Sequence, residues 1–175
     1  NSHGNKHALE NDWGIKSKYE VVKNIIDVEK VKKMSEESLD DVSFDKFTFV
    51  NLAGFREQKN HKFLIESFAK FNNSDCQLLL LGKGKTMEDN KKLAKDLGVE
   101  DKIIFYGFTE NPYKYLSKSD CFILSSDFEG FPNVLLEAMA CETPIISTDC
   151  PTGPRELLSP ETDYTKLLTG DLELT

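Results

Sequence analysis

Residues Leu78–Gly84 read L-L-L-L-G-K-G. A strand with one wet face alternates apolar and polar residues, so an unbroken leucine run demands burial on both faces. The run predicts a strand over Gln77–Leu81, closed by Gly82. The same pattern returns on either side. Phe47–Ala53 reads as a strand ending at Gly54, followed later by strands at Lys102–Tyr106, Cys121–Leu124 and Pro144–Ser147, with a short one at Tyr19–Lys23. Helical stretches lie between them: Val28–Glu37, Asn60–Phe71, Met87–Leu97 before a Gly98 cap, Pro112–Lys118 and Pro132–Cys141. Within Asn60–Phe71, Phe63, Leu64, Ser67, Phe68 and Phe71 recur at helical spacing. Fully apolar strands alternating with helices predict an α/β fold. The sheet is parallel, doubly wound and Rossmann-like, with ligands outside the carboxyl ends of its strands.

A chain of 175 residues is one domain by length and long enough to bury a sizeable core. Lys and Arg number 22 against 30 Asp and Glu, a net charge of −8. That balance argues against nucleic acid as a partner, which needs a basic face, yet leaves room for a local basic pocket around a phosphate. The apolar runs fall far short of the roughly 20 residues that span a bilayer. Cys76, Cys121, Cys141 and Cys150 form no C-x-x-C pair. They read as reduced packing thiols of a cytoplasmic protein, and no metal site is expected.

Glu129–Glu137, E-G-F-P-N-V-L-L-E, carries the chemistry. Pro132 suits a first helical position, which places Glu129 in the loop before the helix and Glu137 in its second turn. Backbone N–H groups at that helix start favour an anion. Carboxylates accept hydrogen bonds from hydroxyls, so a hydroxyl-rich ligand bearing a phosphate fits both halves of the motif. Gly82-Lys83-Gly84 after a strand is also the beginning of a dinucleotide fingerprint, but Met87 stands where the third glycine belongs. A tight ligand-free turn explains those glycines equally well.

Glu129–Glu137 resembles the E-x7-E signature of the retaining, GT-B-fold glycosyltransferases of the large group-1 (family 4) class. The likeness extends through Leu78–Gly84 and Asp101–Phe108 (D-K-I-I-F-Y-G-F) to Ser119–Ser125 (S-D-C-F-I-L-S). It continues in Glu137–Thr148 (E-A-M-A-C-E-T-P-I-I-S-T) and Asp149–Glu156 (D-C-P-T-G-P-R-E). In order and spacing these are similar to that family's nucleotide-binding half, from about Lys18 to Gly170. The resemblance implies that residues 1–17 are a remnant of an N-terminal acceptor domain and linker. Residues 18–175 are then a C-terminally truncated donor domain, with Tyr164–Leu174 opening its closing segment.

It further implies site roles. Lys59 and Arg56, in G-F-R-E-Q-K-N at Gly54–Asn60, would hold the donor diphosphate, although Arg56 is displaced by one from the family position beside Gly54. Glu129 would meet the transferred sugar and Glu137 the ribose hydroxyls. Gly54, Gly82 and Gly84 would allow close approach of the nucleotide, and Phe108, Thr109 and Asn111 would line the base. Gly130 and Phe131 amides would face the sugar, and those of Asn133 and Val134 the diphosphate. The donor would be a nucleotide sugar, first a UDP-sugar, used without metal or other cofactor. A hexose-type sugar would pass with retention to a glycan or lipid-linked acceptor in polysaccharide biosynthesis. The acceptor would be held by the missing N-terminal domain, through which the full enzyme could touch the inner face of the membrane. The fragment alone would turn over little. Competing readings are a nucleotide-binding module without transferase activity and an NAD-type Rossmann oxidoreductase. His61, after the phosphate loop, reads as a cap or solvent-facing side chain.

Overall fold

The computed structural model describes residues 2–15, 17–150 and 152–161. Tyr164–Leu174 lies outside them. Five strands form one all-parallel sheet: β1 (Phe47–Leu52), β2 (Cys76–Leu81), β3 (Ile103–Gly107), β4 (Cys121–Leu124) and β5 (Ile145–Ser147). Their order is β3-β2-β1-β4-β5. The helices are α1 (His3–Asn11), α2 (Val28–Ser35), α3 (His61–Phe71), α4 (Met87–Asp96), α5 (Tyr113–Leu116), α6 (Asn133–Ala140) and α7 (Pro154–Leu158). Short 3-10 turns occupy Glu57–Lys59 and Glu100–Lys102.

The expected α/β architecture is present. The leucine run is as buried as its composition demands: Leu78, Leu79 and Leu80 are fully buried and Leu81 nearly so. On one face Leu78 and Leu80 join Leu64, Ile65 and Phe68 of α3 and Ala94 of α4 in a single apolar cluster. Alternation sends Leu79 and Leu81 to the opposite face. There α2, α5 and α6 pack together and contribute Val31, Tyr115, Leu116, Leu135 and Ala138 to the core. Asp120, just ahead of β4, fixes the β1–β4 register: its carboxylate accepts from Thr48 N at 2.7 Å, and its own N–H donates to Thr48 O at 3.0 Å.

Tyr19–Lys23 is not a strand. Val22 is 75 % exposed and no described strand pairs with the segment. A short apolar run becomes a strand only where a neighbour takes up its backbone hydrogen bonds. The sequence of Cys150–Glu156 reads as a rigid loop, but Pro154–Leu158 is a short helix with Pro154 in its first turn, where a missing N–H costs nothing.

The described residues fall into two compact units. The larger, residues 25–127 and 133–148, holds the sheet and α2–α6. The smaller comprises the described parts of residues 1–24, 128–132 and 149–161. In the smaller unit the Glu156 carboxylate accepts from the first-turn amides of α1, His3 N at 3.0 Å and Gly4 N at 2.8 Å. Acidic groups favour a helix N-terminus for this reason.

Leu80→Ala should cost about 2–5 kcal/mol of stability through lost burial and a residual cavity. The urea midpoint should fall with its slope unchanged.

Candidate functional site

In the larger unit the candidate groups sit on loops leaving β1, β2, β3 and β4. Those loops are laced by backbone hydrogen bonds. Ala53 N donates to Leu81 O at 3.0 Å, Phe55 N to Lys83 O at 3.1 Å, Thr86 N to Phe55 O at 3.3 Å and Gly82 N to Gly107 O at 2.7 Å. So close an approach explains two glycines. A Cβ on Gly82, whose φ is +147°, would strike the Ala53 carbonyl, and one on Gly84 would strike that of Phe55. Loop contact alone accounts for both residues. Gly54 lies in the same lacing, with a Cβ position 3.5 Å from Lys83 O.

Between the β1 and β2 exits opens a cleft of about 820 Å³, lined by Phe55, Arg56, Glu57, Lys83, Lys85 and Thr86 among others. Arg56, Lys83 and Lys85 are exposed side chains on its wall. Three cations against Glu57 give an anion-favouring site in a chain of net charge −8. Lys83 and Lys85 were not singled out from sequence, although K-G-K directly after a strand was the available signal. Lys83 Nζ lies 4.9 Å from the Phe108 ring centroid, a cation–π contact with a ring that is 63 % exposed. Phe108 is therefore a surface ring beside the β3 exit and not a core residue.

Lys59 ends the 3-10 turn that follows Arg56. Its carbonyl accepts from the Ser125 hydroxyl at 2.8 Å. Asn60 is left-handed, with φ +47°, and caps α3 by accepting from Phe63 N at 3.1 Å.

His61 neither caps nor faces solvent. It is 2 % exposed and stacks on Phe55, with ring centroids 4.0 Å apart and planes at 11°. Both ring nitrogens are buried without a hydrogen-bond partner among the described residues. Burial, assisted by the charge of Lys59, pushes its pKa down to about 4. The neutral imidazole behaves as an aromatic filler in the first turn of α3.

At the β3 exit Asn111 is buried, and its side chain bonds at both ends. Nδ2 donates to Met34 O at 2.8 Å and Oδ1 accepts from Tyr113 N at 3.1 Å. The Thr109 hydroxyl interacts with the Asn111 backbone at 3.3 Å. Asn133 and Val134 stand at the start of α6, and Glu137 one turn on is half-buried. Burial raises the Glu137 pKa, partly opposed by the Tyr113 hydroxyl, which donates to Oε1 at 3.5 Å. Burial and the Glu137 charge push the Cys141 thiol, four residues on, up to about 11.

The smaller unit holds Glu129, Gly130 and Phe131. The Thr152 hydroxyl donates to the Glu129 carbonyl. Gly153, at φ +58°, lies so close to Gly130 and Pro132 that a Cβ would come within 2.7 Å of each. Phe131 is buried. Arg155, unassigned from sequence, is buried against Asp149, with Nε 2.8 Å from Oδ1. Among the described residues no three His, Cys, Asp or Glu side chains gather for a metal ion, and no helix is long and apolar enough to cross a membrane.

The family model for group 1 glycosyl transferases matches residues 34–170, and the chain belongs to that family. It is 36 % identical over 164 residues to an uncharacterized glycosyltransferase of Methanocaldococcus jannaschii, covering 90 % of this chain and 40 % of the relative. It is 37 % identical over 159 residues to a Campylobacter jejuni enzyme, covering 90 % and 42 %. That enzyme is named N-acetylgalactosamine-N,N'-diacetylbacillosaminyl-diphospho-undecaprenol 4-alpha-N-acetylgalactosaminyltransferase. The chain thus spans about two fifths of the length of these curated relatives. Among solved structures, S. aureus TarM in complex with Fondaparinux, alpha-GlcNAc-glycerol and UDP aligns with a TM-score of 0.75. Identity there is 16 %, over 90 % of this chain and 30 % of that one, a likeness of fold.

Acidification should destabilise the protein through His61. With its pKa lowered from 6.5 to about 4, the unfolded chain binds the proton first, so stability is lost as pH falls across that window. The loss is on the order of 3 kcal/mol for one fully shifted group. His61→Phe keeps the stack on Phe55 and should flatten that part of the stability–pH curve in chemical denaturation.

Proposed function

We propose that this group-1 family chain is the donor-binding part of a retaining glycosyltransferase that takes a UDP-sugar. The observation that carries the reading is the cationic cleft at the carboxyl ends of β1 and β2, in an acidic chain with a half-buried carboxylate on α6. Ligands of open α/β sheets lie at that edge. Glu137 is the ribose acceptor: a desolvated carboxylate makes strong hydrogen bonds to paired hydroxyls. Lys59 and Arg56, with the Asn133 and Val134 amides, meet the diphosphate. Fixed cations act most strongly where the leaving diphosphate gathers charge, so they favour the transition state over the ground state. We take the reaction as metal-independent on that division of labour. Glu129, with the Gly130 and Phe131 amides, is assigned to the transferred sugar. Phe108 and the backbone of the β3 exit are assigned to the base.

UDP is favoured over other nucleotides because the aligned S. aureus structure holds it. The name of the C. jejuni relative points to a diphosphate-linked undecaprenol as the acceptor class, and we infer polysaccharide assembly as the setting. The acceptor would be held by a further domain of the kind these longer relatives accommodate, with peripheral membrane contact through it. The reading places the chain in the cytoplasm, where its four thiols stay reduced.

Calorimetric titration with UDP, GDP and ADP tests the proposal. UDP should bind best. Glu137→Gln and Lys59→Ala should each weaken it about tenfold, or about 1.4 kcal/mol. A folded protein that binds none of the three, or whose UDP affinity ignores both substitutions, would overturn it.

A further inference from the structure

The Glu57–Lys59 turn has little rigidity of its own. It is three residues long, lacks a side-chain cap and is bounded by extended Arg56 and left-handed Asn60. Its internal bonds are Lys59 N to Arg56 O at 3.0 Å and Asn60 N to Glu57 O at 2.9 Å. Three contacts from the β4 exit, more than 60 residues away in sequence, hold it in place. The buried Ser125 hydroxyl donates to Lys59 O at 2.8 Å. Asp127 N donates to Gln58 O at 2.9 Å. The Asp127 carboxylate accepts from Asn60 Nδ2 at 2.6 Å. The anchor is itself braced, because the Thr148 hydroxyl beyond β5 donates to Ser126 O at 2.6 Å and Thr148 N to Leu124 O at 2.9 Å.

Asn60 is the centre of this clamp. One amide group serves two masters: Oδ1 accepts from Phe63 N at the start of α3, and Nδ2 donates to Asp127. The residue that caps α3 therefore also ties the turn to the β4 exit. A lysine side chain has many rotamers, and its entropy cost on meeting a ligand falls when its backbone is fixed.

We infer that Asp127, acting through Asn60 and seconded by Ser125, is a positioning residue that presents Lys59 to the donor diphosphate. The inference rests on the proposed role of Lys59. Asp127 need not touch the ligand. It accepts a hydrogen bond that sets the turn, and the turn aims the ammonium. Removing it should loosen recognition of the diphosphate and spare that of the nucleoside.

The test compares UDP with UMP. Wild-type protein should prefer UDP, and Lys59→Ala should reduce that preference about tenfold. Asp127→Ala should reduce it to a similar degree while UMP affinity changes less than about twofold. Asp127→Asn keeps the accepting oxygen and the backbone N–H and should restore the preference. Asn60→Asp keeps the α3 cap and tolerates the left-handed backbone, but opposes Asp127 with like charge, so it should mimic Asp127→Ala. This second variant carries the test if Asp127→Ala does not fold. Combined with Lys59→Ala, Asp127→Ala should add little, since both act through one group. Equal loss of UDP and UMP affinity in Asp127→Ala would reduce the clamp to a structural role and overturn the inference. A preference that Lys59→Ala leaves intact would overturn the Lys59 assignment, and the inference with it. A preference that responds to Lys59→Ala but not to Asp127→Ala or Asn60→Asp would overturn the inference alone.

Discussion

Parallel pairing makes every strand of this sheet end on one edge. β1 pairs with β2 along its whole length and with β4 on its other side, so the loops after these strands must meet there. Backbone hydrogen bonds from Ala53, Phe55 and Gly82 knit those loops together, and Gly82 and Gly84 are required by the contact. The core explains why the edge holds its shape. Leu78–Leu81 are buried on both faces, and α3 and α4 seal one side. An anion-favouring surface follows from the residues carried by those loops, not from the charge of the chain, which is negative overall.

The position of each cation depends on a different support. Arg56, Lys83 and Lys85 line the cleft on loops bonded to one another. Lys59 sits on a turn held from β4. His61, next after Asn60, stacks as a neutral ring on Phe55. A charged imidazole there would be desolvated and repelled by the charge of Lys59, so its burial against Phe55 suppresses protonation.

The core strands were legible because burial on two faces leaves a composition no other element shares. Cys121–Leu124 agrees to the residue, and the other core strands differ at their ends by one or two. Tyr19–Lys23 misled because a short apolar run becomes a strand only when a partner strand takes up its backbone hydrogen bonds. His61 misled because a polar side chain was assigned to water, whereas stacking on a buried phenylalanine outweighed that preference. Asn111, a candidate for the base from its loop position, has its amide bonded to Met34 and Tyr113. The Asn60–Asp127 bond joins residues far apart in the chain. No local pattern encodes it, so it could not be read before the fold was known.

A crystal structure of the protein with UDP bound tests the central claim most directly. The account predicts ribose hydroxyls within hydrogen-bond distance of the Glu137 carboxylate and diphosphate oxygens at the Lys59 ammonium. UDP seated elsewhere, for example in the apolar groove lined by Phe63, Phe71 and Ile146, with Glu137 and Lys59 untouched, would contradict it.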